Sequence, residues 1–222
     1  MSSTPDDLAA KRERMLTVQI ADRGIHDSRV LDAMRQVPRE RFVPRGMEAF
    51  AYEDFPLSIG QGQTISQPYI VAAMIEAAEI DPGDFVLEVG AGSGYATAVL
   101  SRLATHVCAI ERHEPLASQA RQRLEALGYG NVDLVVGDGS RGWPVPRLFD
   151  AILVSASGPD VPEPLKRQLA SGGRLLMPIG ETEYQRLVKL RRLGPDRFEQ
   201  ETIASVSFVP LIGAHGWADD AS

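Results

Sequence analysis

Acidic side chains recur where successive β-rich runs end in the middle of the chain. Glu88 lies near the end of the first run, Glu111 directly follows the second, and Asp138 follows the third. Carboxylates accept hydrogen bonds from amines and hydroxyl groups, and they attract cationic centres. Because parallel strands end at one edge of a sheet, the spacing predicts a site there for a ligand with an amine, a diol and an adenine base.

A glycine-rich turn follows the first run and precedes a helix-forming segment. Gly90, Gly92 and Gly94 have the spacing GxGxG, with Ser93 between the last two. Glycine lets the backbone approach a ligand because it has no Cβ. The spacing differs from the GxGxxG of most dinucleotide folds, and the Glu88 carboxylate would repel a pyrophosphate. S-adenosylmethionine, whose sulfonium is cationic, therefore suits this turn better than NAD(P) does.

Three successive motifs resemble those of the class I S-adenosylmethionine-dependent methyltransferases, namely LEVGAGSG (87–94), AIER (109–112) and VVGDG (135–139). The resemblance implies that Glu111 binds the ribose and that Asp138, with the glycine after it, binds the adenine. The glycines and the serine of the first motif would line the methionine end. The resemblance thus assigns the cofactor to Glu88, Gly90, Gly92, Ser93, Gly94, Glu111, Arg112, Asp138 and Gly139.

Longer segments resemble the protein-L-isoaspartate O-methyltransferases in order along the chain: PRERFVP (38–44), YEDFPLSIGQGQTISQP (52–68), FDAILVSASGPDVPEPLKRQLASGGRLLMPIG (149–180) and SFVPLIG (207–213). The resemblance covers most of residues 28–213. It implies methyl transfer from S-adenosylmethionine to the free α-carboxylate of L-isoaspartyl residues in damaged proteins and peptides. The methyl ester then closes to a succinimide, part of which opens to normal aspartate, so the reaction initiates repair.

The acceptor in such a reaction is already ionised at neutral pH, so it needs in-line placement and partial removal of water rather than a strong base. Neutral hydroxyl groups suit this task, since a lysine would quench the nucleophile. The resemblance makes Ser66 the active-site residue, assisted by Thr64, with Gln63 and Ile65 reaching cofactor and substrate. Ser66 taken alone also fits the N-cap of the predicted helix over 67–80, a role worth about 1 kcal/mol, and both roles stay open.

Two further segments are candidates for contact with the substrate. Ser155 and Ser157 follow the fourth β-rich run, where methyltransferases place acceptor-facing residues, although SASGP departs from the family's usual pattern. The segment 209–211 resembles one that closes over the acceptor peptide.

The four histidines lack H-x-H or H-x-x-x-H spacing, so we expect no metal site. We interpret Cys108, in the middle of a strand, as an inert core residue.

The order of helix-forming and strand-forming segments predicts the fold. Residues 6–23 and a second segment, which begins after Asp27 as N-cap, predict an N-terminal helical extension, and residues 38–65 are expected to be irregular. Strands then alternate with helices, which implies right-handed crossovers. We expect an α/β, doubly wound, mostly parallel seven-stranded Rossmann-like sheet with an antiparallel edge hairpin formed by RLVKLRRL (186–193) and TIASVSFV (202–209).

Length and composition limit the classes of protein. With 222 residues the chain can form one sizeable domain with an appendage, and we divide it into an extension with the substrate loop (1–80), a cofactor-binding domain (81–213) and a tail (214–222). The net charge of −7 argues against a nucleic-acid partner. No apolar run approaches the roughly 18–20 residues that span a bilayer. One cysteine and no secretion signal favour a cytoplasmic protein, which we expect to be a monomer.

Three alternatives stay open at this point. A related carboxyl methyltransferase could act on one dedicated peptide or small molecule, with the chain beyond Phe208 as its specificity element. A non-catalytic module could hold the cofactor as a signal or structural prop. An NAD(P)-dependent reductase would use the same fold but ignore S-adenosylmethionine.

Overall fold

The computed structural model describes residues 4–181 and 184–219. Its helices are α1 (Pro5–Arg14), α2 (Ser28–Gln36), α3 (Pro68–Ala77), α4 (Tyr95–Ser101), α5 (Glu114–Ala126) and α6 (Glu163–Arg167). Its strands are β1 (Leu57–Gly60), β2 (Gln63–Ile65), β3 (Phe85–Val89), β4 (His106–Glu111), β5 (Val132–Val136), β6 (Phe149–Val154), β7 (Leu169–Ile179), β8 (Gln185–Gly194) and β9 (Arg197–Val206). In this part of the chain, each helix is too short or too polar to span a membrane.

Seven of the described strands form one sheet in the order β5-β4-β3-β6-β7-β8-β9. Strands β3 to β7 pair in parallel, and β7, β8 and β9 form an antiparallel meander. The predicted seven-stranded, mostly parallel sheet with an antiparallel edge is therefore confirmed. The chain runs outward from β3 to β5 and then returns to β6 on the other side of β3. This reversal opens a crevice at the carboxyl ends of the central strands, where ligands bind in such sheets.

The two faces of the sheet bury separate apolar clusters because neighbouring residues of a strand point in opposite directions. On one face, Val86 and Leu153 pack with residues of the N-terminal extension, including Met15, Phe42 and Ile75. On the other face, Leu87, Val89 and Ile152 pack with Leu165 of α6. The extension thus shares a core with the sheet, and the domain boundary between residues 80 and 81 stays a prediction.

The predicted N-terminal helices are present, with one local difference. Asp27 caps α2 by accepting a hydrogen bond from the backbone N–H of Arg29, as predicted. Helix α1 continues through a π-helical turn (Met15–Ile20) and a 3₁₀ turn (Ala21–Arg23), and it stops at Gly24 with φ of +101°. The wider turn leaves no mark in the apolar spacing, so the sequence predicts only one continuous helix.

The segment 38–65 is more ordered than predicted. Strands β1 and β2 form an antiparallel hairpin, and its connecting residues Gln61 and Gly62 have φ of 54° and 69°. Two consecutive residues with positive φ are typical of the tight turns that join hairpin strands. The hairpin escapes prediction because its strands are only four and three residues long.

The N-cap assignment of Ser66 was wrong. Helix α3 begins at Pro68, and its cap position is Gln67, whose side chain makes no capping hydrogen bond. A proline disfavours helical geometry in the residue before it, and Gln67 accordingly has φ of −49° and ψ of 135°. Ser66 therefore lies one residue outside the cap position.

Candidate active site

A cleft lies at the carboxyl ends of β3, β4 and β6 and encloses about 1110 Å³, including the space at its open mouth. The hairpin β1–β2 forms one wall, and the segment 209–212 forms another. Most of the sequence-predicted site residues line this cleft: Gln63, Thr64, Ile65, Ser66, Glu88, Gly90, Gly92, Ser93, Glu111, Arg112, Gly139 and Ser155. Gly94, Asp138 and Ser157 do not line it.

The glycine turn is held against the neighbouring strand by backbone hydrogen bonds. The N–H groups of Gly90 and Ala91 donate to the carbonyl oxygen of Ile110 at 2.8 and 3.1 Å. Gly94 has φ of +88°, and a Cβ there would lie 3.2 Å from the Cβ of Ala120 in α5. Gly94 thus allows α4 and α5 to pack closely, which explains why it supports the cleft without lining it.

Glu111 is buried at the end of β4 with both carboxylate oxygens already engaged. One oxygen accepts from the N–H of Gly92 at 2.8 Å, and the other accepts from the N–H of His113 at 2.9 Å. Each oxygen keeps a lone pair, since a carboxylate oxygen can accept two hydrogen bonds. This oriented carboxylate fits the two hydroxyl groups of a ribose.

Glu88 is only 1% exposed and lies on the floor of the cleft. Its carboxyl group accepts a hydrogen bond of 2.5 Å from the Thr97 hydroxyl. Burial, with a smaller contribution from the nearby Glu111 charge, raises the pKa of Glu88 to about 8. A buried carboxyl group of this kind fits a cationic ligand, because a positive charge beside it favours its ionised form.

Asp138 lies beside the cleft and binds the C-terminal segment of the chain. Its oxygens accept from the Ser140 hydroxyl at 2.6 Å and from the Ala214 N–H at 2.8 Å. Burial alone would raise the pKa of Asp138, but these hydrogen bonds outweigh it and hold the pKa below its usual value. The neighbouring Gly139 does line the cleft, and a Cβ there would lie 2.4 Å from Val89. The adenine-binding role of the two residues stays a prediction.

The C-terminal segment crosses the same edge of the sheet. Arg112 pairs with Asp219 at 2.7 Å, and the indole N–H of Trp217 donates to the carbonyl oxygen of Ser157 at 2.9 Å. The Ser157 hydroxyl donates to the carbonyl oxygen of Gly180, so it does not face the acceptor. Ser155, which does line the cleft, is the better candidate of the two serines.

The hairpin presents Ser66 to the cleft. Thr64 is exposed, Ile65 is buried and Ser66 is half-buried. Among the residues that the structure describes, none forms a hydrogen bond with the Ser66 hydroxyl, whereas the Ser66 carbonyl accepts from Arg39 at 2.7 Å. The hydroxyl is therefore free to bind a substrate.

Sequence reasoning missed an apolar wall of the cleft. Val71, Met74 and Ile75 of α3 line the cleft together with Leu153 of β6. The three helix residues have i, i+3, i+4 spacing and so share one face of α3. That spacing could have indicated the wall, which makes this part of the cleft apolar.

A family model for protein-L-isoaspartate(D-aspartate) O-methyltransferases (PCMT) matches residues 10–216. The chain belongs to this family. It is 56% identical over 222 residues to protein-L-isoaspartate O-methyltransferase 1 of Rhodopseudomonas palustris (strain HaA2), covering 100% of this chain and 91% of that one. It is 58% identical over 209 residues to a protein-L-isoaspartate O-methyltransferase of Methylorubrum populi, covering 94% and 98% of the two chains.

Solved structures agree with this family assignment. A protein-L-isoaspartate O-methyltransferase superposes with a TM-score of 0.84 at 30% identity, covering 92% of this chain and 67% of that one. A protein-L-isoaspartate O-methyltransferase of Plasmodium falciparum, in complex with S-adenosyl-L-homocysteine, gives 0.79 at 26% identity with 90% and 98% covered. The predicted class I fold, the S-adenosylmethionine cofactor and the isoaspartate methyltransferase assignment are confirmed.

A second cluster of polar side chains lies away from the cleft. His106, Cys108 and Asp133 bring ligand atoms within 4.8 Å of one another. Spacing rules miss this cluster because Cys108 and Asp133 are neighbours on different strands. Burial raises the pKa of the Cys108 thiol, and the Arg147 guanidinium lowers it by a smaller amount. That cation would compete with a metal ion for the sulfur, and the absence of a metal site stays a prediction.

Proposed function

We propose that this family member esterifies the free α-carboxylate of L-isoaspartyl residues in many proteins and peptides through a site built on Ser66. The observation that supports it is the Ser66 hydroxyl, which has no hydrogen-bond partner among the described residues and shares one cleft with the glycine turn and with Glu88. S-adenosylmethionine supplies an electrophilic methyl group on a cationic sulfur and leaves as S-adenosylhomocysteine. The neighbouring backbone nitrogen then loses its proton and displaces methanol from the ester, which closes a succinimide without further help from the enzyme.

The cofactor-side residues have distinct tasks in this proposal. Glu111 accepts hydrogen bonds from the ribose hydroxyl groups, and Glu88 balances the positive charge of the ligand. The turn from Gly90 to Gly94, with Ser93, brings backbone close to the methionine end. Arg112 and the pair Asp138–Gly139 complete the adenosine end, with Arg112 held by the C-terminal segment.

The acceptor-side residues orient an oxygen that is already charged. A carboxyl group of this type is ionised at neutral pH, so the chain has no proton to remove. Ser66 and Thr64 donate hydrogen bonds that orient the carboxylate, and Gln63 and Ile65 contact the peptide backbone and the cofactor. The apolar face of α3 excludes water, which leaves the nucleophilic oxygen less solvated.

The peptide binds in an extended form between the hairpin and the segment 209–211. Ser155 also lines the cleft. A shallow cleft with few side-chain contacts suits damage sites that occur in many sequences. The remaining expectations are a monomeric enzyme in the cytoplasm with no nucleic-acid partner. The net charge of −7 supports the last of these.

A methyl-transfer assay with paired peptides tests the proposal. Several unrelated isoaspartyl peptides, each with its matched aspartyl control, are incubated with the protein and labelled S-adenosylmethionine. We expect methylation of most isoaspartyl peptides and little of the controls. Equal labelling of both members of each pair would refute the isoaspartyl specificity, and activity on only one peptide would favour a dedicated partner.

A further inference from the structure

Arg39 is a buried cation for which the described residues provide no anionic partner. Its side chain is 0% exposed, and within the described ranges it forms no ion pair. One of its terminal nitrogens, Nη1, has no hydrogen-bond partner there either. Burial lowers its pKa to about 10. An unpaired buried charge is costly, so a residue of this kind calls for an explanation beyond ordinary packing.

The contacts of Arg39 join three segments of the chain. Its Nε donates to the carbonyl oxygen of Ala51 at 2.7 Å, and its Nη2 donates to the carbonyl oxygen of Ser66 at 2.7 Å. Its guanidinium carbon lies 4.7 Å from the ring centroid of Tyr95. Tyr95 is the first residue of α4 and lines the cleft directly after Gly94. One side chain therefore bridges the acceptor hairpin (β1–β2 with Ser66) and the cofactor turn (Gly90 to Gly94).

The shape of the guanidinium makes this bridge rigid. Its N–H groups form a planar fork with fixed directions, whereas a lysine ammonium is a single point on a flexible stem. The two carbonyl groups and the ring consequently hold Ser66 at one distance from the start of α4. Because the Ser66 hydroxyl is on the same residue as the bound carbonyl, its direction is restricted as well.

We propose that Arg39 is a positioning residue of the methyl transfer, which holds Ser66 in register with the glycine turn through the Ser66 carbonyl and the Tyr95 ring. This inference rests on the proposed role of Ser66. In-line displacement is sensitive to placement, and a displacement of about 1 Å can cost about 100-fold in rate. Loosening the bridge should therefore affect the reaction more than the binding of either ligand.

Arg174 provides a matched control, because it is a buried arginine that also binds carbonyl groups. Its Nε donates to Ala78 at 2.7 Å and its Nη1 to Asp150 at 3.0 Å. It also pairs with Asp84, directly before β3, at the sheet edge opposite the cleft. Both lysine variants remove a guanidinium that binds backbone carbonyl groups, and Arg174→Lys alters an ion pair as well. Only Arg39→Lys changes a contact with Ser66.

The experiment measures both lysine variants and Arg39→Gln with an isoaspartyl peptide, together with S-adenosylhomocysteine binding and melting temperature. For Arg39→Lys we expect kcat to fall by about tenfold or more. Its KM and its S-adenosylhomocysteine affinity should stay within about twofold of the wild-type values. Arg174→Lys should lower the Tm and leave kcat unchanged. Arg39→Gln keeps a hydrogen-bond donor but loses the charge, and we expect the same loss of kcat.

Hydrogen exchange supplies a readout that does not depend on turnover. In both Arg39 variants, the amides of residues 63–67 should exchange faster while those of 90–95 stay protected. A wild-type kcat in Arg39→Lys would overturn the inference. A rise in KM alone would also overturn it, because that result would indicate that Arg39 attracts the substrate and does not position Ser66. A loss of S-adenosylhomocysteine binding in both Arg39 variants would overturn it as well. If the wild type does not prefer isoaspartyl peptides, the proposed function fails, and hydrogen exchange still decides whether Arg39 holds the hairpin.

Discussion

The backbone N–H of Gly92 donates a 2.8 Å hydrogen bond to the Glu111 carboxylate. This bond joins the turn after β3 to the end of β4, so the two halves of the cofactor site are held together before any ligand binds. The second oxygen of Glu111 accepts from His113, immediately before α5. Glu111 therefore has two tasks, since it shapes the turn and also presents lone pairs to the cleft.

Glu111→Gln should weaken S-adenosylhomocysteine binding by about 10- to 100-fold, because hydrogen bonds to a charged group are worth about 1.5–3 kcal/mol. Isothermal titration calorimetry measures the change. Glu114→Gln is the control, since Glu114 is an exposed carboxylate in the first turn of α5. Equal affinities for the Glu111 variant and the wild type would show that the ribose binds elsewhere.

Ser66→Ala should lower kcat on an isoaspartyl peptide by about 10- to 100-fold, since a hydrogen bond to a charged acceptor is lost. Its melting temperature should not change, because Ser66 does not cap α3. Loss of a true N-cap would cost about 1 kcal/mol. The control is Ser58→Ala, which alters an exposed serine paired with Thr64 in the same hairpin. An unchanged rate in Ser66→Ala would place the acceptor on other residues.

Glu88 should make the ligand-free protein less stable as the pH rises. Its pKa is about 8 in the folded state, against an ordinary value of 4.5. The folded state thus holds a proton that the unfolded state has lost, and stability falls between these two pH values. Glu88→Gln removes this contribution. The Tm of the variant minus the Tm of the wild type should therefore increase from pH 5 to pH 8. Parallel Tm curves for the two proteins would contradict the raised pKa.

Gly94→Ala should destabilise the fold more than Gly128→Ala. Both glycines have positive φ, +88° and +77°, but a Cβ at Gly128 meets nothing within 4 Å. The backbone strain alone costs about 1–2 kcal/mol. The added methyl group at Gly94 would lie 3.2 Å from the Ala120 Cβ, closer than ordinary contact, and overpacking adds about 1–3 kcal/mol. Urea unfolding of the two variants measures the difference, and equal losses would show that α5 moves freely to accept the methyl group.

The sequence by itself determined which segments along the chain form the strands of the large sheet, and where the cofactor turn lies among them. Both are local properties, because the apolar spacing of a strand and the positive φ of a glycine depend on neighbouring residues. Carboxylates at the ends of β3 and β4 were predictable for the same reason. Resemblance to a family then indicated the hairpin segment, although its strands were too short to predict.

Only the tertiary structure decided what the polar groups around the cleft bind. Asp138 accepts from Ala214, 76 residues further on, and Arg39 donates to Ser66, 27 residues further on. Pairs this distant leave no periodic pattern in a chain, since the fold brings them together through the packing of whole elements. Ser66 fits a helix cap in the sequence, but Pro68 moves the cap position to Gln67, and among the described residues none bonds the Ser66 hydroxyl in the folded chain.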